Sequence, residues 1–283
     1  MALPVVELFY GFPTLDPTYT FINALYDGSF TSVSSSKLVF QTDYGVKIVF
    51  KGDFTVAGNT VTGGTVESFK VSESGTKVMT ETGLSISATA LIDAINDWQT
   101  VDSAPLEDLL LDIPTKFIGS EQDDSMFLTA DGCVATGRKG NDYLATLGFD
   151  AVLKGGKGDD RLESLGDNTK MSGGDGMDVF AFGFATNGKI TDLSAKDDLI
   201  ALDITAFAGI NAGFLDQDQF KIGNAASTED QIVIYQRSKG NLWYDQDGSG
   251  STYDPVKIAK LEKGLDLTAH NFLGDFIGPM LMT

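Results

Sequence analysis

Between residues 38 and 79 apolar residues come in short bursts that alternate with polar ones: Leu38-Val-Phe40, Val46-Lys-Ile48-Val-Phe50, Phe54-Thr-Val56, Val66 to Val71, and Lys77-Val-Met79. A period of two marks half-buried strands. Turn formers separate the bursts: Asp43-Tyr-Gly45, Gly58-Asn59, Gly63-Gly64 and Ser74-Gly75. The even spacing predicts an antiparallel meander or a small solenoid, and the pattern fits both. The period then lengthens. Ser87-Ala-Thr-Ala-Leu91-Ile92-Asp-Ala-Ile95-Asn-Asp-Trp98 predicts a helix with a serine near its start, and Pro105-Leu-Glu-Asp-Leu109-Leu110-Leu111 a second. Asp16-Pro17 opens a further short helix running to Leu25. Residues 1–115 therefore read as a β-rich module with a few helices, placed to cap the repeats C-terminal to it.

From Gly119 the apolar positions fall into a period of nine. Counting in nines, the eighth position is Met126, Ala135, Leu144, Leu153, Leu162, Met171 and Phe180. The sixth is Asp124, Cys133, Asp142, Ala151, Asp160, Thr169 and Asp178, so aspartate occupies every second nonad. Three nonads follow G-G-x-G-x-D-x-U-x, with U large and apolar, the first with Arg138 in place of the second glycine. They begin Gly137-Arg-Lys139, Gly155-Gly156-Lys157-Gly158 and Gly173-Gly174-Asp175-Gly176. This is the calcium-binding nonapeptide pattern of a parallel β-roll. The first six residues are expected to turn, the last three to form a strand, and U to point inward. Calcium prefers six to eight oxygen ligands. One turn supplies half a shell and the turn stacked above it the rest. Two nonads make one turn of the roll, so the aspartates stack on one edge and predict one row of sites. The gaps are 119/137, 137/155 and 155/173, the first weaker because Gly-Ser-Glu-Gln-Asp-Asp124 lacks two glycines. Asp142, Asp160 and Asp178 are the candidate carboxylates. The candidate carbonyls come from Gly137, Lys139, Gly155, Gly156, Lys157, Gly158, Gly174 and Gly176, with Gly173 and Asp175 in the last ligand-bearing turn.

These nonads resemble those of the RTX (repeats-in-toxin) proteins of Gram-negative bacteria. Three later segments resemble the closing part of the calcium domain of serralysin-type proteases: Ile190-Thr-Asp192-Leu-Ser-Ala-Lys-Asp197-Asp198-Leu-Ile200-Ala-Leu202, Gly240-Asn-Leu-Trp-Tyr244-Asp245-Gln-Asp247-Gly248-Ser-Gly250 and Val256-Lys-Ile258-Ala-Lys-Leu261. The resemblance covers about residues 117–277 and leaves out the first 115. It implies a second domain over 116–283, a mainly β fold with closing strands after the roll, and completion of the last calcium shell by Asp192 and Asp198. It also implies export by a type I, ABC-type machine that reads an uncleaved C-terminal signal. Leu267-Thr-Ala-His-Asn-Phe272-Leu-Gly-Asp275-Phe276-Ile277 looks like that signal, extended here by Gly-Pro-Met-Leu-Met-Thr283.

Composition sharpens this picture. With 20 basic and 40 acidic residues the formal charge is −20. Such a chain repels itself and lacks the basic stripes that nucleic-acid binding needs. One cysteine, Cys133, rules out an internal disulfide and reads as a small buried thiol. Neither an N-terminal secretory signal nor a transmembrane run is expected. The single histidine, His270, rules out the H-E-x-x-H zinc site of the proteases. Tyr10, Phe12, Tyr19 and Phe21 serve either as core or as a sugar-binding surface, and Asp245-Gln-Asp247-Gly248 either as a separate calcium site or as a plain hairpin turn. The leading expectation is a secreted, non-enzymatic calcium-binding protein whose N-terminal module contacts a cell surface or extracellular polysaccharide. The rival is a secreted polysaccharide-active enzyme with its catalytic site in that module.

Overall fold

The computed structural model describes residues 3–8, 25–100, 109–110, 113–184 and 186–277. The expected helix from Asp16-Pro17, the aromatics at 10, 12, 19 and 21, most of the helix expected at 105–111, and the tail beyond 277 lie outside these residues. The chain packs as two compact units, Met1–Ala135 and Thr136–Thr283.

In the first unit β1 (Val5–Leu8), β2 (Gly28–Val33), β3 (Lys37–Thr42), β4 (Val46–Ala57), β5 (Thr60–Glu73) and β6 (Thr76–Ser87) are followed by α1 (Ala88–Thr100), β7 (Lys116–Ile118) and β8 (Ser125–Leu128). Strands β2 to β6 pair antiparallel in chain order, β1 joins antiparallel to β6, and β7 lies parallel to β1. The apolar bursts thus form a meander. Alternation along β4 and β5 buries Ile48, Phe50, Phe54, Val66, Phe69 and Val71 and leaves the residues between them outward. Helix α1 packs on β5 and β6 through Leu91, Ala94 and Ile95. The Ala90 N–H donates to Ser87 Oγ at 3.4 Å, the cap expected for a serine just before a helix. At the other end the Gln99 amide donates to the carbonyls of Leu25 and Gly28, each at 2.9 Å.

Then come β9 (Val134–Lys139), β10 (Tyr143–Thr146), β11 (Val152–Lys157), β12 (Arg161–Ser164), β13 (Lys170–Asp175), β14 (Val179–Phe182), β15 (Gly188–Ile190), β16 (Leu199–Asp203), β17 (Gly213–Phe214), β18 (Phe220–Ile222), β19 (Val233–Gln236), β20 (Asn241–Tyr244), β21 (Val256–Lys260) and β22 (Phe272–Asp275). Two parallel ladders run through the second unit, β11-β13-β15-β21 and β10-β12-β14-β16-β22. This is a parallel β-solenoid of about five turns. Its interior columns are the eighth-position residues continued by apolar residues of the closing strands: Leu144, Leu162, Phe180, Ile200 and Phe272 align on one ladder, and Leu153, Met171 and Ile190 on the other. All eight are 0% exposed, so each turn buries its own apolar residue against the next.

One detail differs from the expected division into six turn and three strand residues. The first three residues of each ligand-bearing nonad continue the strand before it, because Gly156 pairs with Gly174 and Lys157 with Asp175. Between β16 and β22 the chain inserts β19, β20 and β21, which pair antiparallel with one another, and β21 and β22 then close the two parallel ladders. Among the described residues no helix is long and apolar enough to cross a membrane.

Candidate metal centre

The nonad aspartates form a stack. The Asp142 N–H donates to Asp160 Oδ1 at 2.8 Å, the Asp160 N–H to Asp178 Oδ1 at 3.0 Å, and the Asp178 N–H to Asp198 Oδ1 at 3.0 Å. Each carboxylate therefore holds the backbone of the preceding turn with one oxygen. Asp198 takes the place that the next nonad aspartate would occupy, although it is displaced by 20 residues instead of 18. Its other oxygen accepts from the Ser194 N–H at 2.7 Å. Asp192 lies beside the first glycine of the last turn, accepting from the Gly173 N–H at 3.1 Å and the Ser172 hydroxyl at 2.7 Å. Lys196, the nearest cation in sequence, pairs with the exposed Asp197 at 3.1 Å. In the first unit Asp124, 2% exposed, accepts from the Ser120 N–H at 2.6 Å.

The second oxygen of each stacked aspartate faces the start of its own turn. A Cβ built on Gly137, Gly155 or Gly173 would overlap Oδ2 of Asp142, Asp160 or Asp178 respectively. Glycine is required there because the carboxylate fills the space. Asp178 Oδ2 is fully buried and has no hydrogen-bond partner among the described residues. Glycines 156, 158, 174 and 176 have φ between +109° and +144°, a region essentially closed to other residues. Their Cα atoms back onto the carbonyls of Arg138, Gly140, Gly156 and Gly158 respectively, so that a Cβ at any of them would overlap that oxygen. The carbonyls of Lys157 and Asp175 accept the N–H groups of Gly140 and Gly158 at 3.0 and 2.9 Å. Carbonyl and carboxylate oxygens thus gather along one edge, including those of Arg138 and Gly140, which the repeat symmetry implies but the sequence reading passed over. It also missed the fifth position of the nonad. There Asn141 Oδ1 accepts from the Asp159 N–H at 2.9 Å, and Asp159 Oδ1 from the Met177 N–H at 2.8 Å.

Like charges this close are costly. Burial pushes the Asp178 carboxyl up to about 6, helped by the charges of Asp198, Asp192 and Asp159 and opposed by the hydrogen bond from Asp160. Asp198 is raised as well, first by burial and then by Asp192 and Asp197. No group of three Asp, Glu, His or Cys side chains converges among the described residues. A cation bound here would meet carboxylates from successive turns and otherwise backbone oxygen. That donor set is all oxygen and suits a hard cation such as Ca2+ or Mg2+ rather than zinc. The residues fit the metal that the repeat implies: a buried orphaned carboxylate oxygen on Asp178, glycines that let carbonyls approach, and a carboxyl raised by burial and by its acidic neighbours.

The opposite edge is built differently. Hydroxyls at the starts of its nonads hold the turns, with Thr146 donating to Gly148 O at 3.3 Å and Ser164 to Gly166 O at 3.0 Å. The corners are made by Asp150, Asn168 and Asn187 at φ of 55°, 61° and 52°, the left-handed conformation that Asn and Asp tolerate best after glycine. Cys133 is buried, and the Thr115 N–H donates to its sulfur at 3.4 Å.

No protein-family model and no curated protein matches the chain. Among solved structures it is similar to the solution structure of the AlgE6R3 subunit of the mannuronan C5-epimerase from Azotobacter vinelandii, at 19% identity over 56% of this chain and 76% of that one, with a TM-score of 0.28. The fold therefore rests on the strand pairing of this chain itself.

Proposed function

We propose that the protein is a calcium-binding RTX-type protein that works outside the cell, and that its roll closes when Ca2+ enters the edge where Asp142, Asp160, Asp178 and Asp198 stack. The observation that carries this reading is Asp178 Oδ2, a buried carboxylate oxygen without a hydrogen-bond partner among the described residues, in a stack of like charges. Burying a charge without compensation costs several kcal/mol. A divalent cation supplies the missing charge. The carbonyls of Gly156 and Gly158, and by repeat symmetry those of Gly174 and Gly176, would complete its oxygen shell, and Asp192 would serve the last turn. Calcium modules outside cells work at roughly 10⁻⁴–10⁻³ M, so the roll would stay open where calcium is scarce and close where it is plentiful. That suits export of an unfolded chain by a type I machine. The first unit would then present its meander to a cell surface or extracellular polysaccharide. Native mass spectrometry of the full chain across a calcium titration tests the core of this reading. Several ions should bind as the roll orders, and Asp178→Asn should lower the count. Binding of no ion at millimolar calcium would overturn it.

A further inference from the structure

The connection between β20 and β21 holds a second pair of acids. Asp245, next to the last residue of β20, is 5% exposed. Its Oδ1 is buried without a hydrogen-bond partner among the described residues, and so is Oδ1 of Asp247. The other oxygen of Asp247 is fixed by the Thr252 N–H at 2.7 Å. The two carboxylates lie close enough that the charge of Asp247, after burial, pushes the Asp245 carboxyl up, with Asp254 adding to the effect. Among the described residues neither is in an ion pair. The backbone is drawn in around them. The Gly248 N–H donates to Asp245 O at 3.3 Å and the Ser249 N–H to Thr228 O at 2.9 Å. Gly248, at φ +57°, backs so closely onto the carbonyls of Thr228 and Glu229 that a Cβ there would overlap both.

An ordinary hairpin turn exposes its acids to water. This one buries an unpartnered oxygen on each of two carboxylates, as the roll does at Asp178, although hydrogen bonds from Thr252 and Tyr253 hold the Asp247 carboxyl below its ordinary value. We propose that the Asp245–Gly250 loop is a separate cation site, taking Ca2+ or a similar hard divalent ion through Oδ1 of Asp245 and Oδ1 of Asp247, with backbone oxygen from the Thr228–Glu229 segment. The ion would pin that segment to the closing hairpin. The site does not depend on metal in the roll, since no residue is shared.

Trp243, on the same cleft wall as Asp245, offers a selective probe. The chain has two tryptophans, and the other, Trp98, lies in the first unit. Terbium, a calcium substitute, should emit when the full chain is excited through tryptophan, and added calcium should quench that emission. The double variant Asp245→Asn, Asp247→Asn should abolish it, with apparent affinity weakened roughly tenfold or more for each carboxylate removed. Asp178→Asn should leave it intact, which separates this site from the roll. Trp243→Phe keeps both carboxylates and serves if the double variant fails to fold. It should lose the emission while binding the same number of ions by mass spectrometry. Tryptophan-sensitised emission that survives in the double variant or in Trp243→Phe would overturn the proposal, as would its absence from the wild-type chain, which would mean that water alone fills the loop.

Discussion

Replacing Asp178 by asparagine should change stability in opposite directions with and without calcium. The substitution preserves shape, and Asn Oδ1 can still accept from the Asp160 N–H, now at 3.0 Å. It removes one charge from the stack. The rise of the Asp178 carboxyl from 3.8 to about 6 corresponds to ~3 kcal/mol. Solvent at the edge of the roll screens part of this, leaving about 1.5 kcal/mol. The sign follows from linkage. A carboxyl raised on folding favours the folded state fully below pH 3.8, and that contribution is lost as pH rises through about 6. At neutral pH without metal, the wild type bears the full cost of charging and the variant none, so the variant should be the more stable. In calcium, Asp178 faces two gaps, one toward Asp160 and one toward Asp198. A tenfold loss of affinity at each costs about 1.4 kcal/mol per site at saturation, and set against the ~1.5 kcal/mol gained without metal this leaves the variant the less stable by about 1.3 kcal/mol in calcium. Hydrogen exchange at residues 142–178 in EDTA without urea, where the small remaining protection should be the greater in the variant, and urea unfolding of the full chain in millimolar calcium measure the two. A change of the same sign and size in the two buffers would refute the idea that metal neutralises this stack.

Gly156→Ala should destabilise the roll by about 3 kcal/mol, since φ is +133° and the new Cβ overlaps the Arg138 carbonyl. Gly132→Ala, at φ +70° with open space around it, should cost only ~1 kcal/mol; chemical denaturation compares the two. In the first unit Glu81 is 5% exposed, paired across the sheet with Val6 and Phe69, and pushed up to about 8 by burial alone. The wild-type unit should lose stability as pH rises from 4.5 through 8. Glu81→Gln should remove that slope, opening a gap of up to ~5 kcal/mol in its favour, and thermal midpoints against pH would show it.

Much of the roll was legible because its constraints are local. A glycine that must admit a carboxylate oxygen, an aspartate that must hold the turn before it, and an apolar residue that must enter a narrow interior recur at fixed spacing, as at Gly155, Asp160 and Leu162. The choice between meander and solenoid was not legible. Alternation such as Val46-Lys-Ile48-Val-Phe50 satisfies either pairing, and partners such as Val49 and Lys70 are set by turns and bulges far along the chain. The fifth-position ladder of Asn141 and Asp159 was missed because the repeat pattern leaves that position free. Glu81 was missed because a polar residue in an alternating strand reads as solvent-facing, and only the strands on either side bury it. The Asp245-Gln-Asp247 turn was ambiguous for a similar reason. What distinguishes it from a plain hairpin is the Thr228–Glu229 segment packed against Gly248, a contact that no local motif encodes.

The central claim is that metal, more than apolar burial, holds the three-turn edge together. Hydrogen exchange at the Asp142, Asp160 and Asp178 amides tests it most directly, because each donates to the aspartate of the next turn. In millimolar calcium these amides should be strongly protected, and in EDTA they should exchange nearly as fast as an unstructured chain, while the β4–β5 amides of the first unit stay protected in both. Equal protection of the three aspartate amides in EDTA and in calcium would contradict the account.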